Sequence, residues 1–196
     1  TNSKKIISPL ELDIYLPELK LAFEFNGLWW HNELHKTPKH HYDKTEACEA
    51  LGLQLIHIYE DDWLSKREIV ESRILNLLGQ SQAIYARKCE VREITDNKLI
   101  RSFLETNHLQ GFVGSKVKLG LFYQEELVSL MTFGAKRKAM NSQSKEGEYE
   151  LLRFCSKLGV SVVGGASKLF KYFLKTYQPQ EVVSYADRSW SQGKIY

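Results

Sequence analysis

The chain reads as an α/β protein built from two consecutive units, and three observations lead there. Over residues 10–78 the hydrophobic pattern runs strand, strand, helix, strand, helix, the alternation of periods expected when helices cover a sheet. Residues 80–88 form a mostly polar connection ending in Ala86-Arg87-Lys88, which places a boundary near there and divides the chain into 1–85 and 86–196. Beyond it a second set of strands and helices follows, in a chain with 43% hydrophobic and 26% charged residues, the composition of a folded globule.

The elements follow in order. Leu10-Glu11-Leu12-Asp13-Ile14-Tyr15-Leu16 largely alternates apolar and polar, the period of a half-buried strand. Pro17-Glu18 turns the chain, and residues 19–25 alternate again until Asn26-Gly27, so the two form a hairpin. Residues 28–41, rich in Trp and His, read as an irregular loop; 42–51 read as a helix stopped by Gly52. Residues 53–59 are a strand and 63–78 a helix ending at Gly79. In the second unit, 96–107 is helical, 117–123 and 126–134 are strands around Gln124-Glu125, and 148–155 is a third strand. Gly164-Gly165 then opens a helix at 166–176, and 181–186 is a last strand.

Several classes are set aside by the totals. The net charge of +3 and pI of 8.6 permit a nucleic-acid partner without requiring one. Acids outnumber bases before residue 80, whereas Lys and Arg gather later, as in Lys136-Arg137-Lys138. The three cysteines form no C-x-x-C pair, which argues against a cysteine zinc site and for reduced thiols in a cytoplasmic setting. No apolar run approaches the roughly 18 residues needed to span a bilayer, and no signal peptide is visible. A start at Thr1 without Met, and a stop soon after a strand, are expected of a fragment of a longer protein.

The chemistry concentrates around the hairpin. Asp13 and Glu24 can reach the same end of its sheet, and Glu24 stands between Phe23 and Phe25 in an apolar strand where a lone buried carboxylate is costly. Two converging carboxylates suit a hard cation such as Mg²⁺, which polarises a phosphodiester and activates water. Spacing alone favours Glu11, Asp13 and Glu24 as the polar face of an ordinary amphipathic hairpin. The next loop adds weight: a Trp is ordinarily a core residue, but Trp29 and Trp30 are adjacent in a loop, where at least one ring is expected to be exposed and able to stack on bases. His31 suits a general acid, a general base or a phosphate contact, or a plain surface position, and His35, His40 and His41 extend the cluster toward phosphates. Asp43 and Lys44 open the following helix, either as a helix-start acid beside a solvated lysine or turned back toward the carboxylates, where the lysine would steady charge on phosphorus.

The ordered set Glu11-Leu12-Asp13, Phe23-Glu24-Phe25-Asn26-Gly27, Trp29-Trp30-His31, Tyr42-Asp43-Lys44 and Ile58-Tyr59-Glu60 resembles the PD-(D/E)xK nuclease superfamily over roughly residues 9–65. Within it the chain is similar to the very-short-patch repair endonucleases and the phage-borne homing endonucleases called EDxHD. The resemblance implies a restriction-endonuclease-like mixed sheet with flanking helices. It also implies a Mg²⁺- or Mn²⁺-dependent endonuclease acting on double-stranded DNA, in the cytoplasm of a bacterial host if phage-encoded. Asp13 then matches the central metal-binding aspartate and Glu24 the second acid of the motif. Asn26 stands where the motif has lysine, and Lys44 offers a replacement from another backbone position. His31, Asp43 and the DNA-facing Trp29 and Trp30 complete the set, with His35 beside them.

The second half resembles, more faintly, the GNAT type of acyltransferase fold. Its central strands, Tyr149-Glu150-Leu151-Leu152-Arg153-Phe154 and Val163-Gly164-Gly165-Ala166-Ser167-Lys168 carry that likeness. A Gly-rich helix start can hold a pyrophosphate such as that of coenzyme A, and equally can serve only to pack a helix. Arg137, Lys138, Arg153, Lys168 and Arg188 are the cations able to line a DNA-binding face, and each also fits a solvated surface. Two other readings remain beside the nuclease: a DNA-modifying, acyltransferase-like protein, and a DNA-binding module whose nuclease site is inactive.

Overall fold

The computed structural model describes residues 3–7, 10–27, 39–136 and 147–191. It is a mixed α/β structure that divides into two compact units. Described residues up to Val70, with those from Ala186 onward, form unit one, and Glu71–Tyr185 form unit two. The division therefore falls at Val70/Glu71 and not near residue 85. The physical reason is the segment expected to be a polar connection. Gln82–Tyr85 is a strand paired in parallel with Val160–Val163, so it belongs to the second unit.

Unit one contains β1 (Ser3–Ile7), β2 (Leu10–Leu12), β3 (Ile14–Leu16), β4 (Leu21–Asn26), α1 (Lys39–Ala50), β5 (Gln54–Tyr59) and α2 (Glu60–Ser65). α3 (Arg67–Leu77) begins in unit one and ends in unit two. The strand expected at 10–16 is broken at Asp13, and its first part pairs antiparallel with β1, which the alternation had not revealed. β3 and β4 form the expected hairpin around a short 3₁₀ turn at Pro17–Leu19, closed by Lys20 in the left-handed region at φ 50°. The sheet order is β3-β4-β5, with β4 and β5 parallel. Parallel neighbours need a crossover, and α1 supplies it. Gly52 ends the crossover at φ +69°, a backbone conformation that glycine adopts without steric cost. The helix expected at 63–78 starts earlier and breaks at Lys66, whose φ of −139° is not helical.

The face of β4 and β5 that carries Ala22 and Leu55 packs with Leu12, Ile7, Cys48 and Leu53. Residues after Ala186 rejoin this unit on the free edge of β5. His57 N–H donates to Ser189 O at 2.9 Å, Gln54 Nε2 donates to Trp190 O at 3.3 Å, and the Trp190 side chain is buried.

Unit two contains β6 (Gln82–Tyr85), β7 (Glu90–Glu93), α4 (Asn97–Asn107), β8 (Val117–Tyr123), β9 (Glu126–Ala135), β10 (Glu148–Ser156), β11 (Val160–Val163), α5 (Gly165–Tyr177) and β12 (Glu181–Ser184). Its main sheet runs β12-β10-β9-β8-β7, antiparallel except for the parallel β10–β12 pair. Asp96 caps α4 by accepting from Lys98 N and Leu99 N at 2.8 and 3.2 Å. Ile100, Phe103 and Leu104 share the buried stripe of α4, each stabilising by about 1.5–3 kcal/mol on burial. A second apolar cluster joins Leu119, Leu121, Met131 and Phe133 to Leu169 and Phe173 of α5, with the Phe133 and Phe173 rings stacked at 3.6 Å. The strands at 117–123, 126–134 and 148–155 thus stand where alternation expects them, whereas β6, β7 and β11 were not anticipated. No helix among the described residues is long and apolar enough to cross a membrane.

Candidate active site at the carboxyl end of the first sheet

Strand period and helix period meet on one surface of unit one. Side chains at 22, 24 and 26 share a face of β4, and the parallel register sets Leu55, His57 and Tyr59 beside them. On α1, positions 41, 44, 45 and 48 follow the i, i+3, i+4, i+7 spacing of a core-facing stripe, and Lys44, Thr45 and Cys48 are buried. The apolar end of this layer is Ala22, Leu55 and Cys48. Its other end, toward the carboxyl termini of β4 and β5, is polar.

Lys44 Nζ lies 2.5 Å from Glu24 Oε1, with side chains only 5% and 12% exposed. Such a pair is costly to desolvate unless its geometry is good. Glu24 Oε2 is also buried and has no hydrogen-bond partner among the described residues. A desolvated carboxylate oxygen left unpaired is unfavourable by about 1–3 kcal/mol or more, so this atom is a ready acceptor for a cation or a donor. Asp13 stands at the break between β2 and β3, and its Oδ2 accepts from Phe25 N at 2.9 Å. That amide is bonded to the carbonyl carbon of Glu24, which puts the Asp13 carboxylate beside the Glu24 main chain and leaves Oδ1 for a further ligand. The break in the strand and the placement of the acid are one event, because the side chain takes the amide that a continued ladder would have used.

Asn26 is buried and points inward: its Nδ2 is 3.1 Å from His57 Nδ1, and His57 Nε2 is 2.9 Å from Thr45 Oγ1. Thr45 Oγ1 in turn donates to His41 O at 2.9 Å. The His41 ring meets that of His57 edge-on at 5.6 Å. Burial, with His41 and Lys44 nearby, holds the His57 pKa down at about 4, so the ring is neutral at physiological pH. Burial likewise raises the Cys48 thiol pKa.

The expected residues are thus distributed unevenly. Glu24, Asn26 and Lys44 gather in this layer, Lys44 turned toward the Glu24 carboxylate rather than solvated, and Asp13 meets the end of β4 through Phe25 N. Asp43, one residue earlier, is exposed. Arg188, expected on a DNA-contacting face, lies in unit one, where its guanidinium pairs with Glu49 at 2.9 Å and Glu46 at 3.3 Å on α1. Trp29, Trp30, His31, His35, Arg137 and Lys138 lie outside the described residues. His57 and Thr45 were missed; the available signal was a histidine inside the apolar run Leu55-Ile56-His57-Ile58. Among the described residues no three His, Cys, Asp or Glu side chains group as a metal cage. Asp13 and Glu24 nonetheless offer hard oxygens of the kind that hold Mg²⁺ through one or two carboxylates and several waters.

In unit two a cavity of about 480 Å³ opens where β6 and β11 end, lined by Tyr85, Arg87, Val163, Gly164, Ser167, Lys168 and Lys171. Gly164 caps α5 there at φ 77°. Lys168 Nζ is held by Ala86 O and Cys89 O. No protein-family model matches the chain, and no curated protein matches it.

Proposed function

We propose that unit one is a metal-dependent DNA endonuclease of the PD-(D/E)xK kind, with a restriction-endonuclease-like core formed by β3, β4, α1 and β5. The observation that carries this reading is the buried, unpartnered Glu24 Oε2, held beside Lys44 and one peptide from Asp13. Asp13 and Glu24 would hold the ion. A bound Mg²⁺ or Mn²⁺ supplies Lewis acidity toward the phosphodiester and a more acidic water. Lys44 stands in for the lysine that Asn26 replaces: its ammonium offers charge to a phosphate oxygen from α1 instead of β4. Asn26 is buried, with its Nδ2 directed to His57. His31 is the candidate for proton transfer, to the leaving oxygen or from the attacking water.

The test is nicking of supercoiled plasmid by the purified chain in Mg²⁺, Mn²⁺ or EDTA, beside Asp13→Ala. Metal-dependent nicking should fall at least about 100-fold in the variant, which loses a carboxylate that would hold the charge-stabilising ion. A folded Asp13→Ala protein that cleaves undiminished rules the reading out. No cleavage by the wild type, with DNA still bound, points to an inactive module.

The cavity of unit two favours a second reading. Arg87, Lys168 and Lys171 around the start of α5 suit a pyrophosphate, as of coenzyme A in an acyltransferase-like protein that modifies DNA. Coenzyme A at saturating concentration should then raise the melting temperature, and an unchanged Tm counts against it.

A further inference from the structure

The polar chain between β4, β5 and α1 has one arrangement of protons that satisfies all its members. The Thr45 hydroxyl has a single hydrogen, and it is directed at His41 O, 2.9 Å away. Toward His57 Nε2, at 2.9 Å, the same oxygen must therefore accept. Nε2 thus carries the ring proton and Nδ1 the lone pair, which accepts from Asn26 Nδ2–H at 3.1 Å. The opposite tautomer would set Nδ1–H against an amide N–H. It would also require Thr45 to give up its bond to His41. Asn26 would have to turn its carboxamide over as well.

Both ends of the Glu24–Lys44 ion pair lie next to this chain. Thr45 follows Lys44 directly on α1, and Asn26 is two residues beyond Glu24 on β4. Among the described residues His57 is the one side chain that bonds to both.

We propose that His57 is a positioning residue: as the neutral Nε2–H tautomer it ties the Lys44 turn of α1 to the end of β4, and so keeps the Lys44 ammonium on Glu24. It touches no reacting atom. Its importance for cleavage rests on the nuclease reading, but its hold on Lys44 does not.

The test uses the full chain and two independent readouts. Long-range ¹H–¹⁵N correlation of the imidazoles at neutral pH should show His57 with a protonated Nε2 and a bare Nδ1. An Nδ1–H ring, or a doubly protonated one, overturns the proposal. The Lys44 Cε–Hε resonance then reports the ion pair, with Glu24→Gln as the reference for its loss. His57→Phe keeps a ring and removes both nitrogens, and should move that resonance toward the Glu24→Gln position. Should His57→Phe fail to fold, Thr45→Val carries the same expectation, with both His57 tautomers now populated. A folded variant with Lys44 unmoved overturns the proposal. Where the wild type cleaves, kcat should fall about tenfold with KM unchanged, since displaced catalytic groups cost rate. His57→Gln, which keeps a donor for Thr45, should recover part of that loss, and no recovery counts against the tautomer argument. If the wild type does not cleave, the nuclease reading fails while the spectra still decide the role of His57.

Discussion

The layer beneath α1 in unit one and the layer beneath α5 in unit two are built by the same periodicities and filled with opposite chemistry. Under α5 the buried side chains are Leu119, Leu121, Met131, Phe133, Leu169 and Phe173. Under α1 they pass from Ala22, Leu55 and Cys48 to Asn26, Lys44, Thr45 and His57 within two turns of helix, with the largely covered Glu24 against Lys44. An apolar layer gains free energy with every buried carbon. A polar one gains only where each group finds its partner, and is penalised where one does not. The layer beneath α5 is filled with apolar side chains, while unit one accepts a desolvated ion pair and a carboxylate oxygen unpaired among the described residues at one end of a sheet. A desolvated ion pair with an unpaired carboxylate oxygen breaks a local rule, and such a break marks a place where a site is to be sought.

The comparison can be broken most directly in the apolar layer. Phe173→Ala removes a ring that is fully buried and stacked on Phe133, and should lower unfolding free energy by about 3–5 kcal/mol in equilibrium denaturation. In the polar layer, Lys44→Met leaves the largely covered Glu24 with neither carboxylate oxygen paired among the described residues, and a similar loss of about 3–5 kcal/mol is expected. Adding Glu24→Gln should restore most of that stability but no nuclease activity, a reversal that Phe173→Ala has no counterpart for. Failure of the double variant to recover would mean that the pair is not the source of the cost.

Acid sharpens the contrast further. His57 resists protonation in the folded state down to about 4, against 6.5 for an unperturbed histidine. The unfolded chain therefore binds a proton first, and stability that is complete above pH 6.5 should fall as pH drops toward 4. His57→Gln should flatten that slope, which denaturation midpoints measured across the window would reveal. The smallest effect is expected at Arg188, which is about half exposed beside Glu46 and Glu49. Arg188→Ala should change stability by less than about 1 kcal/mol, and a larger loss would show that the pairing with α1 does more than surface ion pairs do.

Much of the fold was legible because alternation and turn chemistry agree. Gln124 and Glu125 both take positive φ in the tight turn between β8 and β9, where the reading placed it, and Asp96 caps α4 at its expected start. The short strands β6 and β11 escaped because each is completed by the other, far along the chain, rather than by its own pattern. In the site, Asp13, Glu24 and Lys44 were legible as residue types in order, and the contact between Glu24 and Lys44 matches, for Lys44 alone, one of the two readings open for that helix start. His57 and Thr45 were not, because a polar residue at a core-facing position looks like an exposed one until its partners are known.

By itself the sequence determined the α/β class, the hairpin, the crossover helix and the acids that stand on them, since period and side-chain type are local properties. Tertiary structure decided that Asp13 breaks its strand to bond Phe25, that Lys44 lies buried against Glu24 while Asp43 is exposed, and that residues after Ala186 return to the edge of β5. Each of these depends on which distant group supplies the missing hydrogen bond or charge, and that is settled only when the chain closes on itself.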